Sequence, residues 1–502
     1  MGIITFAGII LLLYISHYYY RYFTRPNPLP GPFPLPFIGT LIQIGVNPRK
    51  WAEKNLDDSV DIWEYHAGPF RVIVLSNAKY LEKVYLSYSD STKNLYKESK
   101  FFKRCMNGSN DTGAMASMIF NNDFPKWKRN RQFVTKILMS KKYQYGFLNS
   151  VQKIFKEFEE EWDKNDVVTF DFSKWASLYK SQVTIATIIG QPLYNLSSYD
   201  SISKAANAYM AMFTVLVFMP KAISSIAMYF GFNTIKKYSI FLNGTIRNII
   251  ENRGNELKNG STANFNLLDL LLITNSSNDS DEYIEGEQPM DDVEIETNLA
   301  ETTAASIETT ASGLCFIAYN IAKNPLTLEK LRAEILKIFG SDTTSMITYE
   351  DLERCRYIDA LVKEMLRHSN PAPFNLRVLD DYESVGDCLW SPGTWFWPDH
   401  HRVMNNPNHW KEPNKFDPDR FLNEEEGGTG EFNKTCKNSY VPFGGGIRMC
   451  PGRNIALLEL KLFVVLFYRK YDLDLVNKND PIKYYYTSTN QVYDLMVRIS
   501  QK

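Results

Sequence analysis

The sequence predicts a mainly α-helical protein with a smaller β region, folded as one body behind an N-terminal membrane helix. Three observations lead there. Helical patterning runs through about residues 124–260 and again from about Asp292 to Lys323, whereas strand-like runs are short. No internal repeat is visible, and no linker divides the body into separately folding units. Residues 3–20 carry no charge and are mostly apolar. The expected divisions are 1–24 for the membrane helix, 25–44 for a proline-rich hinge and 45–502 for the body.

A spanning helix needs roughly 20 apolar residues, with about 17 as the lower limit. Ile3–Tyr20 is just long enough. Tyr18, Tyr19, Tyr20 and Tyr22 close the run, where aromatic rings suit the membrane–water boundary. Arg21 and Arg25 follow and no basic residue precedes, which leaves the C-terminal bulk in the cytosol. A cleaved signal peptide would want a basic start and a small-residue cleavage site, and neither is evident. Proline then occupies every second position from Pro26 to Pro36. Each fixes φ and removes a donor, so this segment is a stiff extended strap.

The 502 residues are 44% hydrophobic, enough for a large core, and the formal charge of -1 gives no basic excess for a nucleic-acid partner. Six cysteines include no CxxC pair and no zinc-type spacing, so they read as mostly buried free thiols. Phe70–Leu75 is a short apolar run suited to a strand. Residues 208–232 are unusually apolar, and a buried helix pair or a membrane-dipping lip fits them equally. Residues 278–296 carry nine acidic and no basic side chains and read as a solvated loop. Thr348–Cys355, Ile358–His368 and Arg453–Tyr468 read as further helices, with proline-punctuated extended structure from Asn370 to about Asp419.

The strongest chemical signal is Phe443-Gly-Gly-Gly-Ile-Arg-Met-Cys-Pro-Gly452. Three consecutive glycines exclude a stable helix or strand interior. Cys450 ends the loop just before a helical pattern, and Pro451 suits a first helical position. A thiol at a helix N-terminus has its anion stabilised and becomes a nucleophile or a metal ligand. Phe443, Gly446, Arg448, Cys450 and Gly452 fill the haem-binding signature of the cytochromes P-450, which the sequence resembles. The resemblance implies Cys450 as axial ligand of haem b (iron protoporphyrin IX), Arg448 as a haem-propionate partner and Phe443 as packing against the loop.

Three further constellations strengthen it. Glu364 and Arg367 lie three apart in a helical stretch and can pair. Alone this is an ordinary ion pair, but Phe416-Asp-Pro-Asp-Arg420-Phe421 resembles the family's second structural motif, which implies a Glu364–Arg367–Arg420 cluster buttressing the cysteine loop. Trp127 and Arg131 share one helical face, and the resemblance brings both, with Arg377, to the haem propionates. Ala304-Ala-Ser-Ile-Glu308-Thr309-Thr310 resembles the oxygen-activating helix, with Glu308 and Thr309 as the acid and the alcohol and Ser306 where glycine is more usual. Glu301-Thr302-Thr303 is a second candidate, almost two turns earlier on the same side.

The family resemblance implies a haem-thiolate fold and a monooxygenase that inserts one atom of O2 into a lipophilic molecule. Electrons would come from NADPH through NADPH–cytochrome P-450 reductase, docked on a basic face formed by Lys126, Lys128, Arg129, Lys136 and Arg453. The expected setting is the endoplasmic reticulum membrane. A haem-thiolate sensor or carrier, and a relative using haem for isomerisation or peroxide-driven oxidation, are the other readings; members of the latter kind often lack the acid–threonine pair. Substrate identity is not written in the sequence.

Overall fold

The computed structural model describes residues 2–45, 47–57, 59–68, 70–86, 118, 124–190, 201–206, 233–276, 288–373, 375–379, 381–486 and 489–502. The apolar stretch 208–232, most of the segment before Trp127, Cys105 and the turn residues 487–488 lie outside them. The fold is mainly helical, with four small sheets.

Its axis is the buried helix Asp292–Lys323. A capping box starts it: the Asp291 carboxylate accepts from the Glu294 N–H at 2.7 Å and the Glu294 carboxylate from the Asp291 N–H at 3.0 Å. The last acids of the 278–296 segment therefore belong to this helix. Glu296 pairs with Arg247 at 2.8 Å, and Glu294 pairs with Arg129. The helices Phe172–Thr184 and Arg453–Tyr468 pack against the axis. Trp162, Trp175, Tyr179, Phe463 and Phe467 fill the space between, with Trp175 stacked on Tyr179 at 5.1 Å. Each such ring, once buried, contributes about 1.5–3 kcal/mol of hydrophobic stabilisation.

The expected strand Phe70–Leu75 forms and is central to a four-stranded sheet. It pairs antiparallel with Ile62–Ala67 and parallel with Trp395–Pro398, which in turn pairs with Arg377–Val378. A second sheet places Met496–Gln501 between Val167–Asp171 and Tyr471–Leu475. The β structure is thus shared between the N-terminal part of the body and its C-terminal third. Most of the later strands have two to four residues, too short to show a period of two, whereas Tyr471–Leu475 does alternate.

The N-terminal helix is Gly2–Phe23, with Ile4, Phe6, Leu12, Leu13 and Phe23 exposed. No helix among the described residues is long and apolar enough to cross a membrane. Thr5, Ser16, His17 and four tyrosines dilute the apolar run that suggested a span. The proline strap is also more fixed than a free hinge. The Glu64 N–H donates to Pro30 O at 2.9 Å, Arg25 pairs with Glu64 at 2.6 Å, and Phe37 stacks on Tyr14 at 4.3 Å.

The described cysteines are free thiols, but not mostly buried as expected: Cys315 and Cys355 are buried, Cys388 is half-buried, and Cys436 and Cys450 are exposed.

Candidate haem-thiolate site

The cysteine loop is held by one backbone bond across its mouth, Cys450 N–H to Phe443 O at 3.0 Å. Gly446 adopts φ +67°, and a Cβ there would stand 2.0 Å from Tyr85 O. Only glycine fits both constraints. The following helix starts at Arg453 with Gly452 as its cap, so Pro451 precedes the cap and is not the first helical residue. The Cys450 side chain is exposed to the open space of a cavity, but its depth inside the protein still desolvates it and pushes the thiol up, while backbone N–H groups of Gly452 and Arg453 and the charge of Arg131 pull it down. The expected lowering is therefore present but outweighed by desolvation. A metal cation bound to the sulfur reverses that balance.

Cys450 opens into a mostly apolar cavity of about 390 Å³. Pro451, Ile455 and Ala456 share its wall with the cysteine. The other wall is one face of the axial helix: Thr302, Ala305, Ser306, Thr309 and Gly313. The Thr309 hydroxyl donates to Ala305 O at 2.8 Å and the Ser306 hydroxyl bonds to Thr303 O at 3.1 Å. Ser306 also meets the Thr184 hydroxyl at 3.1 Å. After Thr184 the chain makes a π-helical turn, Ile185–Ile189, which brings Thr187 and Ile188 to the cavity. Thr302 and Thr309 both line it, so the seven-residue spacing places both candidate threonines on the same face.

Glu308 does not share that face. It lines a separate cavity of about 690 Å³ across the helix. Its Oε2 accepts from the Thr489 hydroxyl at 3.1 Å, and burial raises its pKa against the opposing hydrogen bonds of Gln491 and Thr489. Glu301, in the alternative set, is buried.

Of the expected carboxylate-binding residues, Trp127, Arg131 and Arg448 come together at the cysteine loop and Arg448 lines the cavity, whereas Arg377 stands apart over the Tyr85 ring. Arg448 lies over the Trp127 ring at 3.9 Å, with Arg131 at 5.7 Å from the same ring. Arg131 donates to Met449 O. Arg377 is buried and donates to Leu376 O at 2.9 Å. Trp127 Nε1 and Arg377 Nη2 are buried with no hydrogen-bond partner among the described residues. Unmet buried donors are costly, by about 1–3 kcal/mol each. Two carboxylates of an iron porphyrin are acceptors of the right kind, and a thiol on the wall is the matching axial donor. The residues present therefore fit haem.

Behind the loop, Arg367 makes a two-pronged pair with Glu364, at 2.7 and 2.8 Å. It also donates to Met404 O at 3.0 Å and Pro413 O at 2.8 Å. Arg420 Nε stands 3.5 Å from Glu364 and its Nη1 pairs with Glu431 at 2.7 Å. Trp410, under the Arg367 guanidinium at 5.3 Å, donates to Ser439 O at 3.2 Å and so carries the cluster toward the cysteine loop. Glu431 was not singled out in the sequence.

Two other groups went unread. His400 lines the cavity with its Nε2 at 2.6 Å from the Tyr85 hydroxyl, and burial pushes its pKa down to about 3, so it is neutral. Lys180 and Glu459 form a buried ion pair at 2.5 Å on the same cavity. Neither has a local spacing signal; tertiary structure alone brings them there. The basic face is also smaller than expected: Arg129 is taken by Glu294, while Lys126, Lys128, Lys136 and Arg453 are exposed.

A family model, Cytochrome P450, matches residues 29–497. The chain is 25% identical to cytochrome P450 4d1 of Drosophila melanogaster over 70% of each chain. It is 27% identical to tabersonine 16-hydroxylase 1 of Catharanthus roseus, covering 68% of this chain and 67% of that one. With the mitochondrial 1,25-dihydroxyvitamin D(3) 24-hydroxylase of Rattus norvegicus it shares 30% identity over 38% of this chain and 35% of that one. The match also spans less than half of the Drosophila proteins named as probable cytochromes P450 4d20 and 6v1, 39% and 45% respectively. With the cysteine loop, its buttress and the facing helix all in place, the chain belongs to the cytochrome P450 family.

Proposed function

We propose that the protein is a haem-thiolate monooxygenase that inserts one atom of O2 into a lipophilic small molecule, with electrons from NADPH through a reductase. The observation that carries this is the placement of Cys450 and Thr309 on the lining of one mostly apolar cavity. Haem bound there supplies dioxygen activation, and a thiolate ligand favours O–O cleavage. The chain's own part is to hold the ligand, exclude water and supply protons. Thr309, which lines the cavity with its hydroxyl bonded back to Ala305 O, releases that bond to deliver protons there, and Glu308, the preceding residue, stores them. The printed names of two relatives, a vitamin D and a tabersonine hydroxylase, fit a lipophilic substrate.

The test is reconstitution of the full chain with haem, reductase and NADPH. A thiolate-type carbon monoxide spectrum and NADPH-dependent oxygenation of a compound that shifts the iron's spin state support the reading. Haem that cannot be reduced by the reductase leaves a sensor or carrier instead. In Thr309→Ala we expect haem content to stay and product per NADPH to fall about ten-fold, with the electrons recovered as hydrogen peroxide. Tight coupling in that variant would refute the proton role.

Lys126, Lys128, Lys136 and Arg453 form the reductase-docking face in this reading. Lys128→Glu should slow reduction by the reductase about ten-fold at low salt, with the difference shrinking as salt rises. Equal rates in the variant and the parent reject the face. The exposed apolar side chains of Gly2–Phe23, with exposed Phe33, Phe37 and Ile42 beside them, seat the protein on the endoplasmic reticulum bilayer.

A further inference from the structure

The axial helix separates two cavities at a single turn. Thr309 faces the one that holds Cys450, and Glu308 faces the other. The Glu308 carboxylate is 6% exposed; its Oε2 accepts from Thr489 at 3.1 Å and its Oε1 makes no hydrogen bond among the described residues. Thr489 begins the last arm of a two-stranded hairpin, in which Asn490–Val492 pairs antiparallel with Tyr484–Tyr486. That arm is anchored on its far side. Asn490 donates its backbone N–H to Pro371 O and its amide to Asn370 O, each at 2.8 Å. Asn370 and Pro371 line the Cys450 cavity. The hairpin thus holds Thr489 in one place against Glu308.

Other ionisable groups on the Glu308 cavity come from three elements. Asp171 and Lys174 come from the strand–helix junction, Cys315 from the axial helix itself, and Tyr485, Tyr493 and Asp494 from the C-terminal hairpin and the residues after it. Asp171 is offset by Lys174 at 3.7 Å and Asp494 by Lys483 at 2.6 Å. Tyr485, 57% exposed, marks where this cavity meets solvent. Glu308 therefore has a route to bulk protons that avoids the apolar cavity.

We propose that Thr489 is a positioning residue that holds the Glu308 carboxylate on the side of the second cavity, which the polar Gln491 also lines and from which the carboxylate takes its proton. The proposal rests on the monooxygenase reading for its purpose, but the contact is independent of it. The step is a proton transfer alone: solvent in that cavity protonates the carboxylate and no electron moves. A hydrogen bond to the charged form favours that form, so its loss makes the carboxyl harder to ionise.

The test is an infrared pH titration of the full-length protein in detergent. The carboxylic C=O band of Glu308 is identified by its loss in Glu308→Gln. Thr489→Val should shift that band's frequency and raise its titration midpoint by about half to one pH unit. Thr489→Ser, which keeps the hydroxyl, should leave both at the parent's values. Gln491→Leu should raise the midpoint in the same direction and serves if the valine variant does not fold. Ser177→Phe, on the wall contributed by the helix Phe172–Thr184, should slow deuterium uptake at the band several-fold without moving the midpoint. An unmoved midpoint in Thr489→Val, or in Gln491→Leu where the valine variant does not fold, overturns the positioning, and unchanged exchange in Ser177→Phe overturns the route. The band needs no turnover. A protein that titrates as expected but shows no thiolate spectrum sinks the monooxygenase reading and leaves this contact standing.

Discussion

Cys450→Ala loses the thiolate spectrum and all turnover. The sulfur stands on the cavity wall, held by the bond from Cys450 N–H to Phe443 O at 3.0 Å, with backbone N–H groups and Arg131 drawing it toward the anion. Nothing nearby can substitute. Among the described residues no group of three or more His, Cys, Asp and Glu side chains could hold a metal ion. His400, the histidine on this cavity, has its Nε2 engaged by the Tyr85 hydroxyl at 2.6 Å. Alanine removes the ligand but leaves Trp127, Arg131, Arg377 and Arg448, so the variant should still fold and retain some loosely held haem. Its carbon monoxide complex, recorded against the parent's, is the decisive measurement. A persisting thiolate band would mean that another cysteine is the ligand.

Glu364→Ala and Arg367→Ala each destabilise the fold by about 3–5 kcal/mol, because each strands the other charge in the interior. Both side chains are 0% exposed. Arg367 spends its donors on Glu364, on Met404 O and Pro413 O and on Asn405 Oδ1, so its loss frees two loop carbonyls as well as a carboxylate. Whole-protein stability is only about 5–15 kcal/mol, so a loss of this size is a large part of it. We expect low yield, poor haem retention and an earlier denaturant midpoint. Lys330→Ala, which removes a half-exposed partner of Asp419, should move that midpoint little. Equal midpoints for Arg367→Ala and Lys330→Ala would show that the cluster is not a buttress.

Some of this was legible because the physics is local. The glycine run, the Glu364–Arg367 spacing and the helical patterns at Asp292–Lys323 and Arg453–Tyr468 depend on neighbours in sequence, and the structure returns those helices at the expected bounds. Trp127 and Arg131 were readable as one helical face. What failed depends on partners hundreds of residues away. The thiol's desolvation outweighs the helix terminus that one reads from sequence, Arg129 is claimed by Glu294, and Glu308 turns away from Thr309 toward Thr489. His400 owes its place to Tyr85, 315 residues earlier. The N-terminal run shows the opposite failure, since a count without charges overstated how apolar it is.

Both larger sheets are completed by strands made late. Phe70–Leu75 must wait for Trp395–Pro398, and Val167–Asp171 for Met496–Gln501. During synthesis the early strands therefore leave the ribosome with an open edge, and for the second sheet that edge stays open until residues 496–501 are added. Such non-local closure is slow and leaves nascent chains prone to aggregate. Removing residues 496–502 would take away the middle strand of that sheet, so a cut or insertion there acts on a structural seam.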